Sequence, residues 1–149
     1  MKMSPAGLLM VEDFEGYRGT RYQDAEGRWT IGFGHLMLKG ELFPNLLSRE
    51  GASKLLAIDV QKAENCVNFN VKGAVNQNEF DSLVSLAFNI GTTAFVHSTM
   101  LRMWNEGASK EVVANQFLRW CKLDNGLTCS GLLDRRKKEQ ALFLAQPTI

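Results

Sequence analysis

Residues 15–35 read EGYRGTRYQDAEGRWTIGFGH. Glycines break this stretch into short β-branched and aromatic pieces, a pattern that predicts short strands joined by tight turns. Glu15 ends an apolar run that begins at Leu8, Asp24 lies in the turn at residues 22–27, and Thr30 follows in a segment of strand character. The two carboxylates are therefore predicted to lie on different elements.

The residues around the apolar run predict a first helix that ends at Glu15. Ser4 is suited to cap this helix, Pro5 fits its first turn, and Gly16 fits just past its end. Glu15 would then lie at the negative end of the helix dipole, which disfavours a charged carboxylate. Asp24 lies in a polar turn flanked by Arg21 and Arg28, so we expect it to remain ionised near neutral pH.

One protonated and one ionised carboxyl group suit the hydrolysis of a glycosidic bond. The Thr30 hydroxyl is a candidate to help Asp24 hold the attacking water. Taken singly, each residue also has an ordinary structural explanation. An acid near a helix end is commonly solvated, an Asp in a turn commonly binds its own backbone, and Thr favours strands.

The three residues belong to a longer pattern of blocks. Eight residues separate Glu15 from Asp24, five separate Asp24 from Thr30, and Gly32-Phe33-Gly34-His35 follows. This segment resembles the catalytic segment of phage-type lysozymes, glycoside hydrolase family 24. The resemblance covers nearly the whole chain, and its further blocks are residues 78–91, Ala94-Phe95, residues 98–101, Arg119-Trp120 and residues 131–136.

The resemblance implies an endolysin muramidase that cleaves the β-1,4 bond between N-acetylmuramic acid and N-acetylglucosamine in peptidoglycan, with inversion. In that scheme Glu15 is the general acid, Asp24 orients or deprotonates water, and Thr30 assists. Arg135 is the candidate partner of Glu15, and we hypothesise that sugar binding displaces or screens it. Two alternatives remain open, which are a lytic transglycosylase and a non-catalytic module that binds the cell wall.

Several other side chains are candidates for contact with the substrate. Tyr22, Trp29 and Phe33 are candidates to stack on sugar rings, although packing in the core is favoured for Trp29 and Phe33. Asn89 and Ser98 are candidate partners for N-acetyl groups.

The chain is expected to form a single domain, residues 1–149, of lysozyme-like α+β class with a cleft between its lobes. We predict a small antiparallel β lobe at about residues 17–38 and a polar loop at 39–47. A connecting helix at about 48–67 precedes the helical lobe at about 76–149, which includes the N-terminal helix. Asn76 and Glu79 predict a capping box, and shorter helices are expected at 98–106, 109–121 and 131–144.

Composition limits the classes of partner and ligand that the chain is expected to bind. The hydrophobic share of 45% and the net charge of +1 are those of a globular chain. The sequence has no basic patch interleaved with aromatic residues, so nucleic-acid binding is not predicted. Three scattered cysteines and two histidines predict no metal site and no cofactor. We expect the cysteines to be reduced thiols; a disulfide between Cys121 and Cys129 is the alternative in an oxidising compartment. We also expect the protein to be a monomer. The opening segment makes a poor signal peptide, so action on the wall would need release by another protein.

A basic run, Arg135-Arg136-Lys137-Lys138, lies near the C-terminus. A solvated helix face is the favoured interpretation. The alternative is contact with the anionic wall, lipopolysaccharide or the outer membrane, with Leu142, Phe143 and Leu144 as the apolar side.

Overall fold

The computed structural model describes residues 1–148, and in this range it contains eight α-helices, one short 3-10 helix and three strands. The elements are α1 Pro5–Glu15, β1 Arg18–Gln23, β2 Trp29–Gly32, β3 His35–Leu36, α2 Arg49–Asp59, α3 Gln61–Asn70, α4 Gln77–Ile90, α5 Thr92–Val96, α6 Thr99–Asn105, α7 Lys110–Asn115, the 3-10 helix Gln116–Arg119 and α8 Ser130–Leu144. The predicted α+β class is confirmed.

The chain divides into two compact units. The sheet unit comprises Leu8–Gln61, and the helical unit combines Met1–Gly7 with the chain from Lys62 onward. The sheet unit therefore includes most of α1 and all of α2 as well as the three strands.

The sheet of this unit is antiparallel, with the order β1-β2-β3. Tyr22 pairs with Thr30, and Thr30 pairs with Leu36. Helix α2 packs on β2 where Gly32 leaves room for it, since a methyl group on Gly32 would lie 3.3 Å from Ala52 Cβ. A sheet this small needs a hydrophobic face or a helix packed against it to be stable, and α2 supplies part of that support.

Helix boundaries follow the predicted capping residues. The Ser4 hydroxyl accepts a 3.0 Å hydrogen bond from the Gly7 N–H at the start of α1. Gly16 ends α1 with φ +74°, and its N–H donates to the Glu12 carbonyl at 2.9 Å. Asn76 and Glu79 form the predicted capping box of α4.

The single connecting helix predicted at 48–67 is wrong. Ser48 caps α2 as expected, but the helix is interrupted at Val60 and α3 begins at Gln61. Val60 keeps right-handed helical dihedral angles, so the interruption does not disturb the spacing of the apolar residues. The predicted stripe is buried throughout, and it comprises Ala52, Leu56, Val60, Ala63 and Val67.

In the helical unit, α4 is buried along most of its length and packs against α8. The ring of Phe143 on α8 lies 5.5 Å from that of Phe117 and 5.9 Å from that of Trp104. The helix predicted at 109–121 is shorter, because α7 ends at Asn115 and the chain continues as the 3-10 helix.

Residues 39–47 contain no helix or strand, in agreement with the predicted loop. Leu42 is 94% exposed and Leu46 is 67% exposed, whereas Leu47 is buried.

Within residues 1–148, none of the helices combines the length and the apolar character that crossing a bilayer requires.

Candidate active site

Glu15 is the last residue of α1 and is half-buried. Its carboxyl group lies against the β2–β3 turn, because a methyl group on Gly34 would come within 3.1 Å of Glu15 Oε2. Gly34 also has φ +76°, a conformation that costs a residue with a side chain about 1–2 kcal/mol. Glycine at this position therefore lets the turn approach the carboxyl group closely.

Asp24 accepts three hydrogen bonds in the turn between β1 and β2. Its Oδ1 accepts from the backbone N–H of Glu26 at 2.9 Å and of Arg28 at 2.8 Å, while its Oδ2 accepts from Arg28 Nε at 3.0 Å. The backbone N–H of Arg28 is the strongest of the influences that lower the pKa of Asp24, and the bonds from Glu26 and the Arg28 side chain add to it. Asp24 is thus ionised at neutral pH, as the sequence predicted.

Thr30 lies in β2 and is buried. Its hydroxyl donates to the Arg28 carbonyl at 3.0 Å, so the lone pairs of Oγ1 are left to accept hydrogen bonds. Asp24 and Thr30 are therefore both bonded to Arg28, one through its N–H groups and the other through its carbonyl.

Tyr22 lies beside Thr30 in the sheet. The two residues pair directly across β1 and β2, and directly opposed residues point to the same face. Tyr22 is half-buried, and the Arg18 guanidinium lies 4.3 Å from the centre of its ring. The position of Tyr22 therefore fits the predicted role in substrate contact, which stays a prediction.

Two aromatic residues of the same region differ in exposure. Phe33 is buried, with its ring 5.8 Å from that of Tyr17 and the Arg49 guanidinium 5.6 Å away, so it supports the site rather than stacking on sugars. The core position favoured for Trp29 is wrong, because Trp29 is 47% exposed and its ring lies under the Arg21 guanidinium at 5.0 Å. Trp29 begins β2 at the sheet end, where packing partners are few.

The two residues of the helical unit that were predicted to contact substrate, Ser98 and Asn89, differ in their surroundings. Ser98 is a helix cap, because its hydroxyl donates to the Phe95 carbonyl at 2.6 Å and accepts from the Leu101 N–H at 3.2 Å. The hydroxyl is thus already engaged within the unit. Asn89 is exposed near the end of α4. Ser98 also borders a hollow of about 300 Å³ that is lined by His97, Thr99, Met100, Gln116, Arg119 and Trp120.

The basic run of α8 is a solvated face only in part, because Lys137 and Lys138 are exposed. Arg135 and Arg136 are buried, and they bind Glu139 at 3.5 Å and 2.6 Å. Arg135 also donates to the Ser85 carbonyl at 3.3 Å. These residues lie in the helical unit and Glu15 lies in the sheet unit, so the pairing of Arg135 with Glu15 stays a prediction. The sequence did carry a signal for the buried cluster, since Glu139 follows the two arginines at helical spacing.

Two features were missed by sequence reasoning. Arg28 was considered only as a charge near Asp24, yet it bonds to both Asp24 and Thr30. His35 lies between two carboxylates, with Nδ1 2.8 Å from Asp59 Oδ2 and Nε2 2.9 Å from Glu41 Oε1. Because His35 directly follows Gly34, this cluster anchors the turn that faces Glu15.

Comparison with known proteins yields one consistent family. The Phage lysozyme family model matches residues 12–139. The endolysin of Salmonella phage P22 is 38% identical and aligns over 97% of this chain and 99% of its own. The endolysin of Bacillus phage B103 is 40% identical over 97% of this chain, but the chain spans only 54% of that longer protein.

Solved structures agree with the sequence matches. A P22 lysozyme variant is 36% identical, with a TM-score of 0.87 and coverage of 97% of this chain and 99% of that chain. The muramidase domain of SpmX from Asticaccaulis excentricus is 36% identical with a TM-score of 0.88, over 97% of this chain and 99% of that one. The chain belongs to the phage lysozyme family.

Proposed function

We propose that this chain is an endolysin muramidase that hydrolyses the β-1,4 bond between N-acetylmuramic acid and N-acetylglucosamine in peptidoglycan. The observation that carries the proposal is the hydrogen bonding of Asp24 and Thr30 at the turn between β1 and β2 in the sheet unit. Asp24 is held ionised there, and the hydroxyl of nearby Thr30 is turned so that its lone pairs accept. The names of the relatives, endolysin and muramidase, agree with this activity.

In the proposed reaction Glu15 gives its proton to the glycosidic oxygen as the bond from that oxygen to the anomeric carbon breaks. A water molecule held by Asp24 and Thr30 attacks the anomeric carbon, and its proton passes to Asp24. Glu15 is left ionised, and exchange with solvent restores both groups.

The stereochemical outcome depends on the distance between the two carboxyl groups. Direct attack by water, with inversion, needs about 6.5–9.5 Å between them, whereas a covalent retaining route needs about 5–5.5 Å. We propose inversion, in line with the family resemblance. The product anomer released first distinguishes the two routes and can be followed by proton NMR.

The finer features of the proposal concern partners and location. The protein acts on the cell wall, works as a monomer, and pairs Arg135 with Glu15 until glycan binds. Fewer side chains of α8 are available for contact with an outer membrane than the sequence suggested, because Arg135, Arg136 and Phe143 are buried. Lys137, Lys138 and Leu144 are the exposed side chains that could still serve such contact.

Digestion of purified peptidoglycan followed by mass spectrometry of the soluble fragments tests the proposal. The wild type should release fragments with reducing N-acetylmuramic acid ends, and Glu15→Gln should be slower by about 10²–10⁴-fold, the usual contribution of acid catalysis. Asp13→Asn is the matched control, because Asp13 lies on the same helix and is exposed. This variant should keep the wild-type rate.

Other products would contradict the assignment. Anhydro-muramyl ends would indicate a transglycosylase, and wall binding without release of fragments would indicate a binding module. An active Glu15→Gln variant would remove Glu15 from the role of acid.

A further inference from the structure

Arg28 joins the two groups that are proposed to hold the attacking water. Its backbone N–H and its Nε donate to Asp24 at 2.8 Å and 3.0 Å. Its carbonyl accepts from the Asp24 N–H at 2.9 Å and from the Thr30 hydroxyl at 3.0 Å. One residue thus fixes Asp24 from two sides and also fixes the direction of the Thr30 hydroxyl.

The hydrogen bonds of Asp24 leave its two oxygens unequal. Each carboxylate oxygen has about two lone-pair sites. Oδ1 accepts from the N–H groups of both Glu26 and Arg28, whereas Oδ2 accepts only from Arg28 Nε among the contacts of the described residues. Oδ2 is therefore the oxygen with capacity to accept from a water molecule.

The Thr30 hydroxyl is constrained in a complementary way. A hydroxyl has one proton to donate and two lone pairs, and the proton of Thr30 is directed at the Arg28 carbonyl. A water between Thr30 Oγ1 and Asp24 Oδ2 would face two acceptors and would donate both of its hydrogens. Its oxygen lone pairs would then be directed away from both acceptors and be available for attack.

From these contacts we infer that Arg28 is a positioning residue of the hydrolysis, which makes Asp24 Oδ2 and Thr30 Oγ1 a pair of acceptors that orients the attacking water. The inference rests on the proposed function, because it presumes that Asp24 and Thr30 hold that water. It assigns to Arg28 a role in the rate of the chemical step and none in substrate binding.

Loss of the Arg28 side chain should have a specific kinetic signature. In Arg28→Met the backbone bonds to Asp24 Oδ1 remain, but Oδ2 loses its fixed donor and the carboxylate plane is free to turn. Small errors in the placement of reacting groups cost up to about 10²-fold in rate, so we expect kcat to fall by roughly 10-fold to 10²-fold with KM unchanged. The Arg28 side chain also helps to lower the pKa of Asp24, so the acid limb of the kcat profile should move to higher pH.

Arg28→Lys separates charge from geometry. A lysine keeps the positive charge but lacks the planar fork that places Nε against Oδ2. This variant should retain more of the wild-type acid limb than Arg28→Met while still losing kcat. Arg21→Met is the matched control, because Arg21 is on the same hairpin and contacts the Trp29 ring. It should keep both the wild-type kcat and the wild-type pH profile.

The experiment measures kcat and KM of the full chain on soluble, uncrosslinked glycan strands between about pH 2.5 and 8, a range that extends below the ordinary carboxyl pKa values because the pKa of Asp24 is lowered. Thermal unfolding of each variant verifies that it is folded. The double variant Asp24→Asn with Arg28→Met should be no slower than Asp24→Asn alone, since Arg28 is inferred to act through Asp24.

Two results separate this inference from the proposed function. If Asp24→Asn is inactive while Arg28→Met keeps the wild-type kcat and acid limb, the role of Arg28 is overturned and the proposed function stands. If Asp24→Asn keeps the wild-type kcat, the catalytic assignment itself is wrong.

Discussion

Two clusters of charge in this protein use the same residue types in opposite settings. In the sheet unit, Asp24 and Arg28 meet in a turn where their side chains are 21% and 53% exposed. In the helical unit, Glu139 and Arg136 are fully enclosed, with Arg135 beside them and the Ser85 hydroxyl donating to Glu139. The first cluster is open to a ligand, whereas the second is enclosed within the unit.

The surroundings shift the two carboxyl groups in opposite directions. Backbone and side-chain donors lower the pKa of Asp24, and the N–H of Arg28 contributes most. Burial raises the pKa of Glu139, and the nearby Arg136 and Arg135 offset that effect only in part. The ionised Asp24 carboxylate thus remains accessible to a ligand, whereas the Glu139 carboxylate is enclosed with its arginine partners.

Asp24→Asn should produce the largest effect on activity. The amide has the shape of the carboxylate but cannot take a proton from water, so kcat should fall by about 10²–10⁴-fold. Because Asp24 lies near the surface, the midpoint of thermal unfolding should change little. Rates on purified peptidoglycan and a melting curve give both values, and an unfolded variant would contradict the contrast between the clusters.

Glu139→Gln should show the opposite pattern. It leaves Arg135 and Arg136 buried without their carboxylate, and removal of one member of a buried ion pair typically costs about 3–5 kcal/mol of unfolding free energy. Urea unfolding followed by circular dichroism measures the loss. The folded fraction should keep its rate of hydrolysis, and a loss of rate at unchanged stability would place Glu139 among the catalytic groups instead.

Much of the sheet unit could be predicted from local sequence. Pro5 and Gly16 determine where α1 begins and ends, so the position of Glu15 at its tip followed directly. The turn around Asp24 followed from its glycine and polar residues. Its hydrogen bonds could not be assigned, because the distinction between a solvated Arg28 and one that binds Asp24 depends on the geometry of the turn.

The helical unit shows why the remaining roles escaped prediction. Ser98 as a cap and Ser98 as a ligand for sugar have the same sequence signal, and only its bonds to Phe95 and Leu101 separate them. The solvated face predicted for the basic run holds for Lys137 and Lys138 but is wrong for Arg135 and Arg136, because a run of charge predicts solvent exposure only on average. Glu139 pairs with Arg135 and Arg136 at local helical spacing, whereas the contact of Arg135 with Ser85 on α4 is a tertiary effect that local sequence does not encode.

A pair of glycine variants tests how closely the sheet unit confines Glu15. Gly34 and Gly27 have φ of +76° and +78°, so alanine should cost about 1–2 kcal/mol of stability at either position. A methyl group at Gly34 would also press on Glu15 Oε2 at 3.1 Å, whereas nothing lies within 4 Å of one at Gly27. We expect Gly34→Ala alone to lose activity per folded molecule.

Parallel measurement of unfolding free energy and hydrolysis rate checks this expectation. Gly27→Ala is the control for backbone strain. If both variants keep the same specific activity, the contact between Gly34 and Glu15 has no influence on catalysis.

The His35 cluster is intermediate between the two compared above, because its histidine is buried but its carboxylates are partly exposed. Burial alone lowers the pKa of His35, but the hydrogen bonds of Glu41 and Asp59 outweigh it, so the pKa is raised above 6.5. A group with a raised pKa in the folded state stabilises the fold fully below its unfolded pKa, and this contribution is lost as pH rises through the folded pKa. Unfolding free energy should therefore decrease as pH rises from about 6 to above neutrality.

The carboxylates of this cluster set the acid side of the same curve. The Leu38 N–H and then His35 lower the pKa of Glu41, so its contribution is present above its unfolded pKa and is lost as pH falls through the folded value. For Asp59, burial outweighs the bond to His35 and raises the pKa, which opposes part of the gain in stability from Glu41.

Urea unfolding at several pH values should show a steeper loss of unfolding free energy above pH 6 for the wild type than for His35→Asn, while His97→Asn, at an exposed histidine, should follow the wild type. Equal slopes for the wild type and His35→Asn would show that the imidazolium between Glu41 and Asp59 contributes no net stability, and the cluster would then resemble an ordinary surface ion pair.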